Sequence, residues 1–208
     1  MSESGRRKNV LILAEGYEEK PYIDKILSFP NINLKTYYFP PAINVKGNGK
    51  IVARYQYEIQ RGFNDVILVF CDADKGSSQF LNIVNDIGEK FFVDKKYGLE
   101  VFIFANPVTL QIVLSHFGDV MLKNVSKKKN ADIVEKLTGV ANYDAKEEQI
   151  ESIINQIHFI SIDILKKRLK IISTDFRIIP STNFLHFLEL FESDDCGWID
   201  SINSLRKK

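Results

Sequence analysis

The 208-residue sequence predicts an α/β protein, a parallel sheet flanked by helices and followed by a mostly helical C-terminal extension. Three observations carry this. Residues 9–14 (NVLILA) and 66–71 (VILVFC) are apolar runs without polar alternation, the pattern of strands covered on both faces. The stretches between the apolar runs have helical spacing, so the strands are joined by crossovers and run parallel with right-handed connections. From residue 108 onward the periodicity is helical.

Taken in order, the first strand leads through Glu15-Gly16 into a helix carrying Tyr22, Ile23, Ile26 and Leu27, with Pro21 tolerable in its first turn. Residues 33–39 read as the next strand, ended by Pro40-Pro41, and Lys46 to Lys50 as a loop before a helix reaching Arg61. The strand at 66–71 ends abruptly in Asp72-Ala73-Asp74-Lys75-Gly76. Ser77 or Ser78 caps a helix with Phe80, Leu81, Val84 and Ile87, and residues 99–104 form another buried strand. Beyond it, helices are expected at 108–117, 131–137, 146–157, 183–191 and 198–205. A basic loop near Lys128 separates the first two, and a further strand is expected within 171–180. This divides the chain into a core of residues 1–107 and an extension, 108–208, packed on it.

The apolar fraction of 45% and charged fraction of 26% are those of an ordinary folded protein. A net charge of +1 excludes global attraction to nucleic acid, so any such binding uses local patches, among them Arg6 to Lys8, Lys127 to Lys129 and Lys166 to Lys170. Cys71 and Cys196 are far apart and lack metal-ligand spacing, which reads as two free thiols in a reducing cytoplasm. No signal segment or apolar run of about 20 residues suggests a membrane.

Ligands of open α/β sheets bind outside the carboxyl ends of the strands. Glu15 follows the first buried strand directly, and Asp72 and Asp74 follow the third. If those strands are neighbours, three carboxylates face one pocket and require a counter-charge; hard oxygen donors suit Mg²⁺ or Mn²⁺, with phosphate oxygens completing the shell. Each motif alone is an ordinary turn or loop feature, and the weight lies in their conjunction.

These motifs, LILAEG with Glu18-Glu19-Lys20 and then LVFCDADKG, resemble the TOPRIM domain shared by topoisomerases, bacterial primases, small ribonucleases and OLD-type nucleases. The resemblance covers about the first half of the chain and implies a Rossmann-like sheet. Asn106-Pro107 and the helix ending LSHF are also similar to the standalone RloB-like branch found among restriction and phage-defence genes. That branch carries a Phe-Glu-x-Trp stretch where this chain has Thr109 to Ile112.

The resemblance implies that Glu15 is a general acid or base or a metal ligand, and that Asp72 and Asp74 coordinate metal. Glu19 is a further catalytic candidate in a two-metal arrangement, with Glu18 taking its place if the register shifts. Lys75 reads either as a phosphate-neutralising group or as a surface ion pair. Lys46, Lys50 and Arg54 are candidate nucleic-acid contacts, or else a solvated loop. His116, at the end of an apolar helical face, reads as a packed or capping residue.

The expected function is a metal-dependent nuclease acting on DNA or RNA, in a phage-defence or restriction-associated setting. The rival is a non-catalytic nucleic-acid- or partner-binding module of the same fold, and a third reading is an unrelated α/β protein with Asp72 as nucleophile. A covalent intermediate is not required, and the chain is too short for the strand-passage apparatus of topoisomerases. With no Gly-x-x-x-x-Gly-Lys-Ser/Thr motif, the ATPase accompanying OLD-type nucleases would be a separate protein. Assembly into a homo-oligomer is left open.

Overall fold

The computed structural model describes residues 6–74 and 77–207. The described elements are β1 (Lys8–Ala14), α1 (Glu19–Leu27), β2 (Tyr37–Tyr38), β3 (Ile43–Asn44), α2 (Ile51–Arg61), β4 (Val66–Asp72), α3 (Ser78–Phe91) and β5 (Phe102–Asn106). They continue with α4 (Leu110–Leu114), α5 (Lys127–Thr138), α6 (Glu147–Asn155), α7 (Ser161–Leu169), β6 (Ser181–Thr182), α8 (Phe184–Glu192) and α9 (Gly197–Ser204). Short 3₁₀ segments occupy Asn48–Lys50 and Lys95–Val101.

The described strands form one six-stranded, mostly parallel sheet in the order β2-β1-β4-β5-β6, with β3 also pairing β1. The two apolar runs are neighbours, running parallel with Val10 opposite Val66 and Ala14 opposite Phe70. Both are buried along almost their whole length, as their unbroken apolar pattern requires. β4 pairs β5 in parallel with Asp72 opposite Ala105, and β6 closes the edge antiparallel to β5.

Alternation along β4 sorts its side chains between two layers. Phe70 meets Tyr22 of α1 and Phe184 of α8, with ring centroids 6.3 and 5.9 Å apart. On the other face, Phe80 of α3 packs edge-on against Phe102 and Phe104 of β5. Asp72, two residues after Phe70, therefore emerges on the α1 side, and this phase is what aims it at the start of α1.

Four sequence expectations change. The strand at 33–39 shrinks to Tyr37–Tyr38, because the Asn33 side chain accepts from the backbone N–H groups of Lys35 and Thr36 and turns the chain. Pro40 and Pro41 then remove two donors, and the chain touches β1 again only at Ile43–Asn44. Residues 99–101 join a 3₁₀ segment. Gly98 there lies so close to α3 that an added Cβ would sit 2.1 Å from the Val84 carbonyl oxygen, and one on Gly88 would sit 2.0 Å from that of Lys95.

Residues 171–180 contribute only a bridge, Ser173 to Ser181, since the Asp175 side chain engages the Arg177 guanidinium and backbone in a turn. Lys127 to Lys129 form the first turn of α5 rather than a loop, and α7 is a helix that the sequence reading did not assign. Its inward side chains, Ile162, Leu165 and Leu169, have helical spacing. Residues after 108 build on the sheet, supplying β6 and the covering helix α8. Among the described residues no helix is long and apolar enough to cross a membrane.

Candidate metal centre

The site forms where β1 and β4 end together. The Glu15 backbone N–H donates to the Phe70 carbonyl at 2.9 Å, continuing the ladder one residue past β1. The chain then turns, and the Glu19 carboxylate accepts from the Gly16 N–H at 2.8 Å. This fixes the start of α1, where acids are also favoured by the helix dipole. Glu18 immediately precedes that helix and Glu19 is its first residue. Asp72 enters from β4, its Oδ1 accepting from the backbone N–H and hydroxyl of Thr109 at 2.5 and 2.8 Å.

Glu18, Glu19 and Asp72 bring one carboxylate oxygen each to within 4.8 Å of one another. This cluster of acidic residues can bind a metal ion. It shares only Asp72 with the expected ligand set of Glu15, Asp72 and Asp74. The Glu15 carboxylate stands beside it, accepting from the Asp72 backbone N–H at 3.0 Å. Asp74 lies beyond the strand end with φ 45°, a left-handed conformation that aspartate tolerates better than most residues. Lys75 lies outside the described residues.

The electrostatics are those of acids short of positive charge. Burial, opposed by the Asp72 N–H and reinforced by Asp74 and Glu18, pushes Glu15 up to about 7. Glu19, only 4% exposed, is pushed up to about 8 by burial and then by the charges of Glu18 and Glu15. Asp72 is driven well above the usual carboxylate range by burial and then by Glu19, Glu18 and Glu15, with Thr109 opposing. Asp74 is raised by burial, with Lys127 opposing. Lys127, at 3.4 Å from Glu18, is the nearest described counter-charge. The Tyr143 hydroxyl donates to the same Glu18 oxygen. Among the described residues Lys127 alone forms an ion pair with the clustered acids, and hard oxygen donors gathered this closely fit a divalent cation.

An open cleft of roughly 430 Å³ lies over the cluster, lined among others by Glu15, Glu18, Glu19, Asp72, Lys46 and Lys127. Of the three expected nucleic-acid contacts, Lys46 lines it, at φ 59° with its N–H donated to the Asn44 side chain at 2.8 Å. Lys50 is exposed at the end of the 3₁₀ turn, three residues beyond the cleft-lining Gly47. Arg54 is engaged elsewhere, 2.7 Å from the buried carboxylate of Glu58.

His116 is a packed residue, as expected. Its Nε2 is 3.1 Å from the Tyr22 hydroxyl and its Nδ1 2.6 Å from Ser161 Oγ. Ser161 donates its own proton to the His158 carbonyl, so His116 Nδ1–H donates to Ser161 and Nε2 accepts from Tyr22. Burial, with Arg168 nearby, lowers its pKa to about 3.

Thr109 and Tyr143 were not legible as site residues. Thr109 carries one signal, its place just past the exit of β5 at the sheet's carboxyl edge. Tyr143 arrives through tertiary packing, 125 residues from Glu18. No family model matches this chain, and no curated protein or solved structure matches it.

Proposed function

We propose that the chain is a metal-dependent nuclease of the TOPRIM type, hydrolysing phosphodiester bonds of DNA or RNA with Mg²⁺ or Mn²⁺. The observation that carries this reading is the convergence of Glu18, Glu19 and Asp72 at the carboxyl end of adjacent parallel strands, inside an open cleft that also holds lysines. The order of the acidic motifs along the chain, and their resemblance to the TOPRIM pattern, support it.

Glu18, Glu19 and Asp72 would hold the ion, with Thr109 fixing the Asp72 rotamer and Tyr143 that of Glu18. The bound cation would supply Lewis acidity to a phosphate and ease ionisation of a coordinated water. Glu15, beside the cluster in the same cleft, would accept a proton from the attacking water and return it to the leaving oxygen. Lys46 and Lys127 would contact the phosphate backbone. Asp74 stands as a further acid beside the cleft. A separate ATPase, and a setting in phage defence or restriction, belong to the same proposal through the family resemblance.

Incubating the protein with plasmid DNA, single-stranded DNA and tRNA in Mg²⁺ or Mn²⁺ tests this, beside Glu15→Gln and Asp72→Asn. Cutting that EDTA abolishes and both variants lose by 100-fold or more is expected. Cutting that survives both substitutions would remove the assignment. Metal binding without cleavage of any of the three would favour the binding-module reading.

A further inference from the structure

The outer face of α2 carries a feature that the acidic centre does not use. Lys50, Arg54, Tyr57 and Arg61 follow one another at spacings of four, three and four residues, which places them on one helical stripe. The stripe begins just after Lys46 and Gly47, which line the acidic cleft, and it ends beside Phe63 in the next turn. From Lys50 to Arg61 it spans about 16 Å, the length of about five stacked nucleotides.

The side chains on it are exposed yet held. Tyr57 is 51% and Phe63 62% exposed, an unusual state for large rings on neighbouring turns. The Arg54 and Arg61 guanidiniums both lie over the Tyr57 ring, at 5.2 and 5.6 Å from its centroid, and Arg61 also lies 5.0 Å from the Phe63 ring. Between them sits the Glu58 carboxylate, its side chain 1% exposed, with Arg54 at 2.7 Å and Arg61 at 3.3 Å. One buried acid thus anchors two cations, which leaves a surplus positive charge on this face, joined by Lys50 and Lys46. The Phe63 carbonyl is fixed by the Asn9 side-chain amide at 2.9 Å.

We propose that this stripe is a binding track for single-stranded nucleic acid leading into the acidic cleft. Exposed rings offer stacking surfaces to unpaired bases, and interleaved cations meet the phosphates. A duplex keeps its bases stacked inside and offers nothing for Tyr57 and Phe63 to stack on. The surplus charge matches a polyanion, and the alternation of ring and guanidinium favours a nucleic acid over an acidic protein surface. The inference deepens the nuclease reading by naming unpaired strands as its substrate class, and rests on that reading for the direction of the track.

The test measures binding apart from cutting, by fluorescence anisotropy in EDTA with a labelled 15-nucleotide single-stranded DNA, the RNA of the same sequence, and the blunt DNA duplex. A single strand should bind at least tenfold tighter than the duplex. Tyr57→Ala with Phe63→Ala should weaken single-strand binding tenfold or more and leave duplex binding unchanged. Arg61→Ala should lower the slope of log affinity against log salt by about 0.7. Tyr57→Phe, which keeps the ring, should restore wild-type binding. Because these rings are exposed, thermal melts should show all variants folded. Equal affinity for strand and duplex, or no effect of the double ring substitution, would overturn the track, as would equally tight binding of poly-glutamate. Single-strand binding without any cleavage would leave the track standing and remove the nuclease reading; cleavage with ring-independent binding would do the reverse.

Discussion

Thr109 donates twice to one oxygen of Asp72, through its backbone N–H at 2.5 Å and its hydroxyl at 2.8 Å. The pair ties the loop after β5 to the end of β4, so the rotamer of a candidate ligand is set by the neighbouring strand's exit. Replacing Thr109 with Val removes the hydroxyl and keeps the shape and the N–H. Mn²⁺ affinity measured by calorimetry is expected to fall 10- to 100-fold while the fold persists. Unchanged affinity would show that Asp72 needs no such support.

The raised carboxyl groups make the metal-free protein sensitive to alkali. Glu15 and Glu19 have native values of about 7 and 8, against ordinary values of 4.5. Between about pH 4.5 and 8 the folded chain therefore binds more protons than the unfolded chain, and stability falls as pH rises through that window. In EDTA the melting temperature is expected to be lower at pH 8.5 than at pH 5.5. Glu19→Gln should flatten the difference, and Mg²⁺ should stabilise the wild type most at the higher pH.

His116 contributes with the opposite sign. Its pKa of about 3 lies below the ordinary 6.5, so the unfolded chain binds the extra proton, and this contribution to stability is lost as pH falls from about 6.5 towards 3. Imidazole NMR should find a neutral Nδ1–H ring that does not titrate above pH 5. A His116 that titrates near 6.5 would contradict the buried Tyr22–His116–Ser161 chain.

Gly88 sets two opposing effects against each other. Alanine in mid-helix should add about 1 kcal/mol through propensity, yet its Cβ would lie 2.0 Å from the Lys95 carbonyl oxygen, a clash worth about 3 kcal/mol. The clash wins, so Gly88→Ala should lower unfolding free energy in urea by roughly 2 kcal/mol. Stabilisation instead would mean that the Lys95–Val101 segment does not pack against α3 as described.

The parallel sheet was legible because residues 10–14 of β1 and 66–71 of β4 are continuously apolar, a pattern that a doubly covered strand needs. β2 was legible only as part of a longer run, 33–39, and β3 and β6 were not, since pairs of residues carry no periodicity and their pairing depends on partners far along the chain. Within the site, the turn at Glu15-Gly16 and the strand end at Asp72 could be placed from the sequence. Asp72 was legible as a ligand and Glu19 as a catalytic candidate, but the grouping of both with Glu18, in place of Glu15 and Asp74, was not. Whether Glu15 or the pair Glu18 and Glu19 clusters with the Asp72 carboxylate depends on how α1 begins, which the Gly16 N–H to Glu19 bond decides. The α2 stripe was half legible through Lys50 and Arg54. Glu58, which organises its arginines, looks in the sequence like any surface acid.

The most direct test of the account is a calorimetric Mn²⁺ titration of the wild-type chain beside Glu19→Gln, Asp72→Asn and a surface control, Asp163→Asn. The account predicts saturable binding to the wild type and the control, with proton release that grows as pH falls below 8, and loss of binding in the two site variants. A wild-type chain that binds no Mn²⁺, or site variants that bind it as tightly as the wild type, would contradict the assignment of Glu18, Glu19 and Asp72 as a metal centre.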